Sequence, residues 1–341
     1  MFFGDSKKRA LQLCCTKIPQ KEIFVLVDVG AQGGIARKWG SIESYLKVVA
    51  FEPDSRSIVP ATKTNEFISI SAILSKERRD LRFYVTKGLG KSSLYRPNDA
   101  FLSQFVDSDR FSVIKEIIFP AEKVLTLDHA FELNHVQGAD FIKLDTQGSE
   151  LDILEGGKKI LSSTFGAQIE VEFAPLYENQ PLFHDVDSFM NNHGFQLMDL
   201  RRFYWKRKAH YEFIGKGQLV CADALYFRSL ESFQNMFSNL SEGESTISKL
   251  YKCVLVCLIY GLYDYAIAIW DYARQRGHIA FDENQDLMKA IMKLKARDWI
   301  SVCVPSVRIR DKLYRLAQKI KPMSYLGWAD ADIEIANVKD F

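Results

Sequence analysis

The run "IFVLVDVGAQGG", residues 23–34, constrains this chain more than any other stretch. Residues 23–29 are almost wholly apolar and rich in β-branched side chains. They read as a strand buried on both faces, the pattern of a parallel sheet. The glycines that follow let backbone approach a ligand closely, and the helix expected after them presents free N–H groups. Such a strand and turn place a ligand at the carboxyl end of an α/β sheet.

Further strands follow at the spacing of α/β units. Residues 48–51 end at "EPD", a helix is expected over 54–65, and a third strand over 67–73. "LRFYV", residues 81–85, alternates and reads as an extra antiparallel strand. Residues 87–110 read as a long loop, a length that often carries function. Residues 139–144 and 167–173 are the fourth and fifth strands. "FHDVDSFMNNHGF" is a helix closed by Gly194, and residues 196–200 and 219–227 are the last pair of strands.

The pattern changes near residue 238. "NLSEGEST" reads as a polar linker, and strand patterns stop after it. "ISKLYKCVLVCLIY", "YDYAIAIWDYARQ", "ENQDLMKAIMKLKAR" and "RDKLYRLAQKI" read as four helices, with no 34-residue repeat period. Two units are expected, 1–237 and an all-α unit over 238–341, the second offering surfaces for a partner or another copy. A chain of 341 residues with 47% hydrophobic content has core enough for both. No apolar run reaches the ~18 residues of a membrane helix. The six cysteines show neither C-x-x-C nor Cys–His ligand spacing. No zinc or other metal site is therefore expected, and reduced thiols in a cytoplasmic protein are.

Asp28 precedes Gly30, Gln32 and Gly34 at the tip of the first strand, and Glu52 ends the second. An acid at the second tip can accept hydrogen bonds from both ribose hydroxyls. A nicotinamide dinucleotide needs G-x-G-x-x-G, which is absent here, and Asp28 would repel its pyrophosphate. The acid suits a ligand carrying an amine and a sulfonium, which favours S-adenosylmethionine. Pro53, just past the second strand, and Ala72, near the end of the third, complete the expected cofactor set.

"FIKLDTQGSELDILEGG", residues 141–157, poses a puzzle, because a buried strand carries Lys143 and Asp145. Alternation puts both on one face, with Glu170 and Glu172 on one face of the next strand. The expected pairs are Lys143 with Glu170, a structural ion pair, and Asp145 with Glu172 near the tips. Close carboxylates raise one pKa, so one can act as general base, or both can hold a divalent ion. His184 is a further candidate base, against the plainer reading of a surface histidine. In "RRFYWKRKAH", Arg201, Arg202, Trp205 and Lys206 fall in the expected connection between the last strands. They suit an acceptor that stacks on aromatics and carries an anionic group, against the plainer reading of a solvated hairpin.

"VDVGAQGG", "VVAFEPD", "FIKLDTQGSELDILEGG", "IEVEFAPLY", "HGFQLMDL" and "GQLVCADALYFR" together resemble the FkbM-type methyltransferases over residues 21–230. The resemblance implies a Rossmann-like, seven-stranded class I sheet of order 3-2-1-4-5-7-6. It also implies S-adenosylmethionine held by Asp28, Gly30, Gly34 and Glu52, with Asp145 lining the site. Gln32 stands where the family more often has Asn. The acceptor implied is a sugar or glycan hydroxyl, nucleotide-linked or lipid-linked. Two other readings are a glycan- or partner-binding protein without turnover and a nucleic-acid methyltransferase. The net charge of +2 speaks against the latter, so no nucleic acid is expected as a partner.

Overall fold

The computed structural model describes residues 2–31, 33–53, 64–213, 215–240, 244–280, 285–294, 328–332 and 334–339, with 309, 312 and 316. At its centre is one sheet of β1 (Phe24–Val29), β2 (Leu46–Phe51), β3 (Glu66–Ile70), β4 (Phe141–Leu144), β5 (Gly166–Glu172), β6 (Phe195–Trp205), β7 (Gln218–Arg228) and β8 (Ala329–Ala331). The strands lie in the order 3-2-1-4-5-7-6-8. β1 to β5 pair in parallel, and β7, β6 and β8 join antiparallel. The first seven strands are the Rossmann-like class I sheet. β8 is an addition the sequence pattern does not show: three residues are too short to leave a period.

The main helices are α1 (Phe2–Lys17), α2 (Glu150–Glu155), α3 (Phe183–Asn192), α4 (Thr246–Tyr260), α5 (Tyr263–Gln275) and α6 (Gln285–Met292). Strand alternation sorts the core into two layers. Phe24, Leu26, Val48, Ala50 and Phe141 face α1 and α4, in one cluster with Cys14, Val254 and Leu258. Val27, Val29, Val49, Ile142 and Leu144 face α2 and α3, with Ile153, Leu154, Val186 and Met190.

Three of the four helices expected after residue 238 are present. The fourth lies almost wholly outside the described residues, as does the helix expected over 54–65. The sequence division at 237/238 does not separate two cores. Every residue of α4 from Ser248 to Tyr260 is buried, so this helix is an inner layer rather than an appendage. Among the described residues no helix is long and apolar enough to cross a membrane.

Charge fastens α4 to the start of β4. Asp140 accepts hydrogen bonds from the Val25 N–H (2.9 Å) and from Lys249 Nζ (2.6 Å). Lys252 Nζ lies 3.0 Å from the same carboxylate and 2.6 Å from Glu244. Burial pushes the Asp140 carboxyl up, but the two ammoniums outweigh it and hold it below its ordinary value. A depressed carboxylate stabilises the fold fully above its unfolded-state pKa, near ~3.9, and loses that contribution as pH falls through the folded value. Asp140→Asn leaves two buried ammoniums undercompensated and is expected to cost about 3–5 kcal/mol in urea unfolding. The variant should lose less stability than the wild type between neutral and acid pH. An equally stable variant would mean that packing alone holds α4.

Candidate active site

The carboxyl ends of β1, β2 and β4 meet at Gly30. Its φ is +77°, and a Cβ there would lie 2.0 Å from the carbonyl oxygen of Asp145. Only glycine supplies that backbone without collision. The Gly30 N–H donates to the Phe51 carbonyl (2.9 Å), and the Asp145 N–H to that of Val29 (3.0 Å). Three strand tips are thus tied at one turn. Past the turn, Gly34 has φ +84°, Gln32 is outside the described residues, and the chain enters a 3-10 helix, Arg37–Tyr45, rather than the expected α-helix.

Above these tips lies a cavity of about 460 Å³. Gly30, Glu52, Pro53, Ala72, Asp145 and Arg201 line it, so the structure brings six of the expected site residues together. Ile73, Leu74, Phe83 and Ile153 give it an apolar wall, and residues 89–92 line it as well.

Asp28 stands behind this cavity. Alternation turns its carboxylate toward Trp39 and Tyr260, in a space of about 30 Å³. Lys143 lines the main cavity and bridges the two acids, with Nζ 3.2 Å from Asp28 Oδ1 and 3.8 Å from Asp145 Oδ2. Burial lowers the Lys143 pKa, but the two aspartates more than reverse this and keep it protonated.

The expected Lys143–Glu170 pair does not form. Register sets Lys143 opposite Gln168 and Leu144 opposite Ile169, so the next step brings Asp145, not Lys143, level with Glu170. Asp145 and Glu170 are hydrogen-bonded, and Gln147 Nε2 donates to both, at 3.1 Å to Asp145 Oδ1. Burial, then the neighbouring Asp145, pushes the Glu170 carboxyl well up. Burial also opposes ionisation of Asp145, but Lys143 and Lys91 hold it below its ordinary value. Asp145 is thus the member of the pair held toward ionisation and Glu170 the one held toward its protonated form.

Glu172 does not line the cavity, and its expected place beside Asp145 falls to Glu170. Burial and the nearby Glu150 push its carboxyl well up. Glu150 accepts from the N–H groups of Thr146 (2.6 Å) and Gly148 (2.9 Å) and from the Thr146 hydroxyl (3.0 Å). This clamps a turn in which Gln147 has φ +62°. Burial raises the Glu150 pKa to about 7. His184 begins α3 with its side chain 76% exposed, beside Asp185 (3.3 Å), and does not line the cavity.

Arg201, Arg202 and Trp205 are not in a connection, because β6 runs on to Trp205; of the four expected residues Lys206 falls in the connection to β7. Strand alternation divides its side chains. Arg201 and Phe203 face the cavity, Arg201 bonded to Asp223 (3.3 Å) and lying over the Phe203 ring (4.9 Å). Arg202 points away and pairs with Asp332 (2.8 Å). Trp205 packs on Phe105, Phe111 and Trp328, and Lys206 Nζ donates to the carbonyls of Tyr211 and Phe213. Sequence reasoning missed Gln147 and Glu150, and took Lys91 only as one residue of the long loop over 87–110. The polar run "TQGSE" at a strand tip was the visible sign of the first two. Among the described residues no group of three or more His, Cys, Asp or Glu side chains could hold a metal ion.

The methyltransferase FkbM domain model matches residues 28–197. No curated protein matches the chain. Among solved structures, the precorrin-6y C5,15-methyltransferase from Geobacter metallireducens GS-15 is 11% identical, covers 64% of this chain and 88% of its own, and superposes with a TM-score of 0.27. That likeness is too distant to bear on the site. The family match spans the turn at Gly30, the β4 block and the start of β6, on a sheet of class I order. Through that domain, this chain belongs to the FkbM methyltransferases.

Proposed function

We propose that this protein transfers the methyl group of S-adenosylmethionine to a hydroxyl of a sugar or glycan. The observation that carries this is the single cavity joining Glu52, Gly30 and the Asp145–Glu170 pair. The residues present fit the cofactor. Glu52, at the tip of β2, would accept from the ribose hydroxyls. Gly30 leaves room for close approach, and Ala72, Leu74 and Ile153 offer an apolar wall for the adenine. Ionised Asp145 would face the positive amino and sulfonium groups. When bound, S-adenosylmethionine supplies a methyl carbon already activated by its sulfonium.

The protein's part is to align the acceptor, exclude water and take a proton. The hydroxyl becomes strongly acidic only as its bond to carbon forms, so a weak carboxylate base suffices. Asp145, hydrogen-bonded to Glu170 in the cavity, is that base. At the far end, Arg201, Phe203 and Asp223 offer donors, acceptors and a ring face, a set that suits a polyhydroxylated ring. Because Asp223 already faces Arg201, nucleotide-linked and lipid-linked sugars are acceptors to test rather than conclusions. A cytoplasmic location belongs to the same reading: Cys14, Cys15, Cys221, Cys253 and Cys257 are free and buried.

Calorimetry with S-adenosylmethionine is expected to show binding that Glu52→Ala weakens at least about tenfold, in line with losing charged hydrogen bonds of ~1.5–3 kcal/mol. Gly30→Ala should abolish binding, since its methyl would overlap the Asp145 carbonyl. Incubation with methyl-labelled cofactor and panels of nucleotide-linked sugars, lipid-linked sugars and RNA tests the acceptor. Label on RNA alone would remove the sugar assignment, and cofactor binding without label on any acceptor would favour a binding protein.

A further inference from the structure

The loop of residues 87–95 lines the cavity from a pinned base. The Gly88 N–H donates to the Arg110 carbonyl (2.7 Å), and Thr86 Oγ1 to that of Gly88 (2.9 Å). At the far side Ser93 Oγ donates to the Gln147 carbonyl (2.6 Å). Between them, Lys91 Nζ donates to Gln147 Oε1 (2.9 Å). The Tyr177 hydroxyl lies 3.0 Å from the same oxygen and 3.1 Å from the Lys91 carbonyl. An ammonium cannot accept a hydrogen bond, so this contact decides which way the amide faces. Oε1 meets Lys91, and both Nε2 hydrogens point to Asp145 and Glu170.

We infer that Lys91 is a positioning residue: from the loop that lines the cavity, its ammonium orients the Gln147 amide and, beside Lys143, supplies positive charge that lowers the proton affinity of the Asp145–Glu170 pair. Its role as an aid to base catalysis rests on the function proposed above; its electrostatic effect does not. Other charges face the pair from every side. Lys143 comes from β4 with Asp28 behind it, Glu172 from β5, and Glu150 from α2. Arg201 from β6 and Asp223 from β7 stand at the far wall, and the Tyr177 and Cys221 side chains are close by. Lys143 bridges Asp28 and Asp145, and Arg201 holds Asp223. Lys91 is held by a neutral amide, so its field falls on the pair, where it favours the ionised forms of Asp145 and Glu170. With Lys91 in place the pair ionises more readily; without it, Gln147 loses its orienting partner and the pair loses a cation.

The test needs no acceptor. Full-length protein carrying 13C at the glutamate side-chain carboxyls is titrated by NMR, with the Glu170 signal identified by its loss in Glu170→Gln. Lys91→Met should move the Glu170 midpoint up by about one pH unit, as expected for losing a nearby cation. It should also quicken amide exchange over residues 87–95. Lys91→Gln keeps a donor for Gln147 but no charge; it should show the same titration shift with slower loop exchange than Lys91→Met. Lys91→Arg should restore the wild-type midpoint. An unchanged midpoint in both uncharged variants, with only loop exchange altered, would reduce Lys91 to a structural tie and overturn the inference. Calorimetry of the wild type with S-adenosylmethionine separates the two ideas: absent binding removes the proposed function and leaves the titration result standing.

Discussion

The site depends on one partly buried ammonium. Two aspartates at the tips of neighbouring parallel strands, Asp28 buried and Asp145 half-buried in the cavity, would repel each other without a cation between them. Lys143 is that cation, bonded to Asp28 and within 4 Å of Asp145. It explains why a four-residue inner strand carries charge at its end. β4 has Asp140 at its entrance, tied to α4, and Lys143 with Asp145 at its exit, around an apolar middle of Phe141 and Ile142. One end fastens the fold and the other holds the chemistry. Both rely on the same rule, that a buried charge needs a partner.

Much of the fold was legible because strands buried on both faces leave long apolar runs and glycine turns mark their ends. The order of the first seven strands followed from the motifs that resemble the FkbM family. What stayed hidden was settled by contacts distant in sequence. A polar linker near residue 238 suggested a separate helical unit, yet α4 completes the main core, its apolar residues packed into the cluster under the sheet and its two lysines paired with Asp140. The extension of β6 to Trp205 was hidden because Arg201 and Arg202 look like loop residues. Each instead meets a carboxylate, Asp223 or Asp332, supplied by a neighbouring segment.

The site divides in the same way. Gly30, Glu52 and Asp145 were readable because each is an anomaly of type at a strand tip, a glycine or an acid after apolar residues. Glu170 was read as a mere ion-pair partner because register cannot be seen in one strand, and a two-residue difference in register, which keeps the same face, exchanges its neighbour from Lys143 to Asp145. The placement of Asp28 behind Lys143 was hidden for the same reason. Lys91 sits in a segment whose composition says only loop, and its meaning comes from a partner 56 positions away.

The most direct test of the central claim is a crystal structure with S-adenosylhomocysteine. The ribose should lie against the Glu52 carboxylate, with the amino acid end reaching toward Asp145 beside Gly30. The product bound anywhere other than this cavity, or bound there with Glu52 and Asp145 both out of reach, would contradict the assignment of these strand tips as the cofactor site.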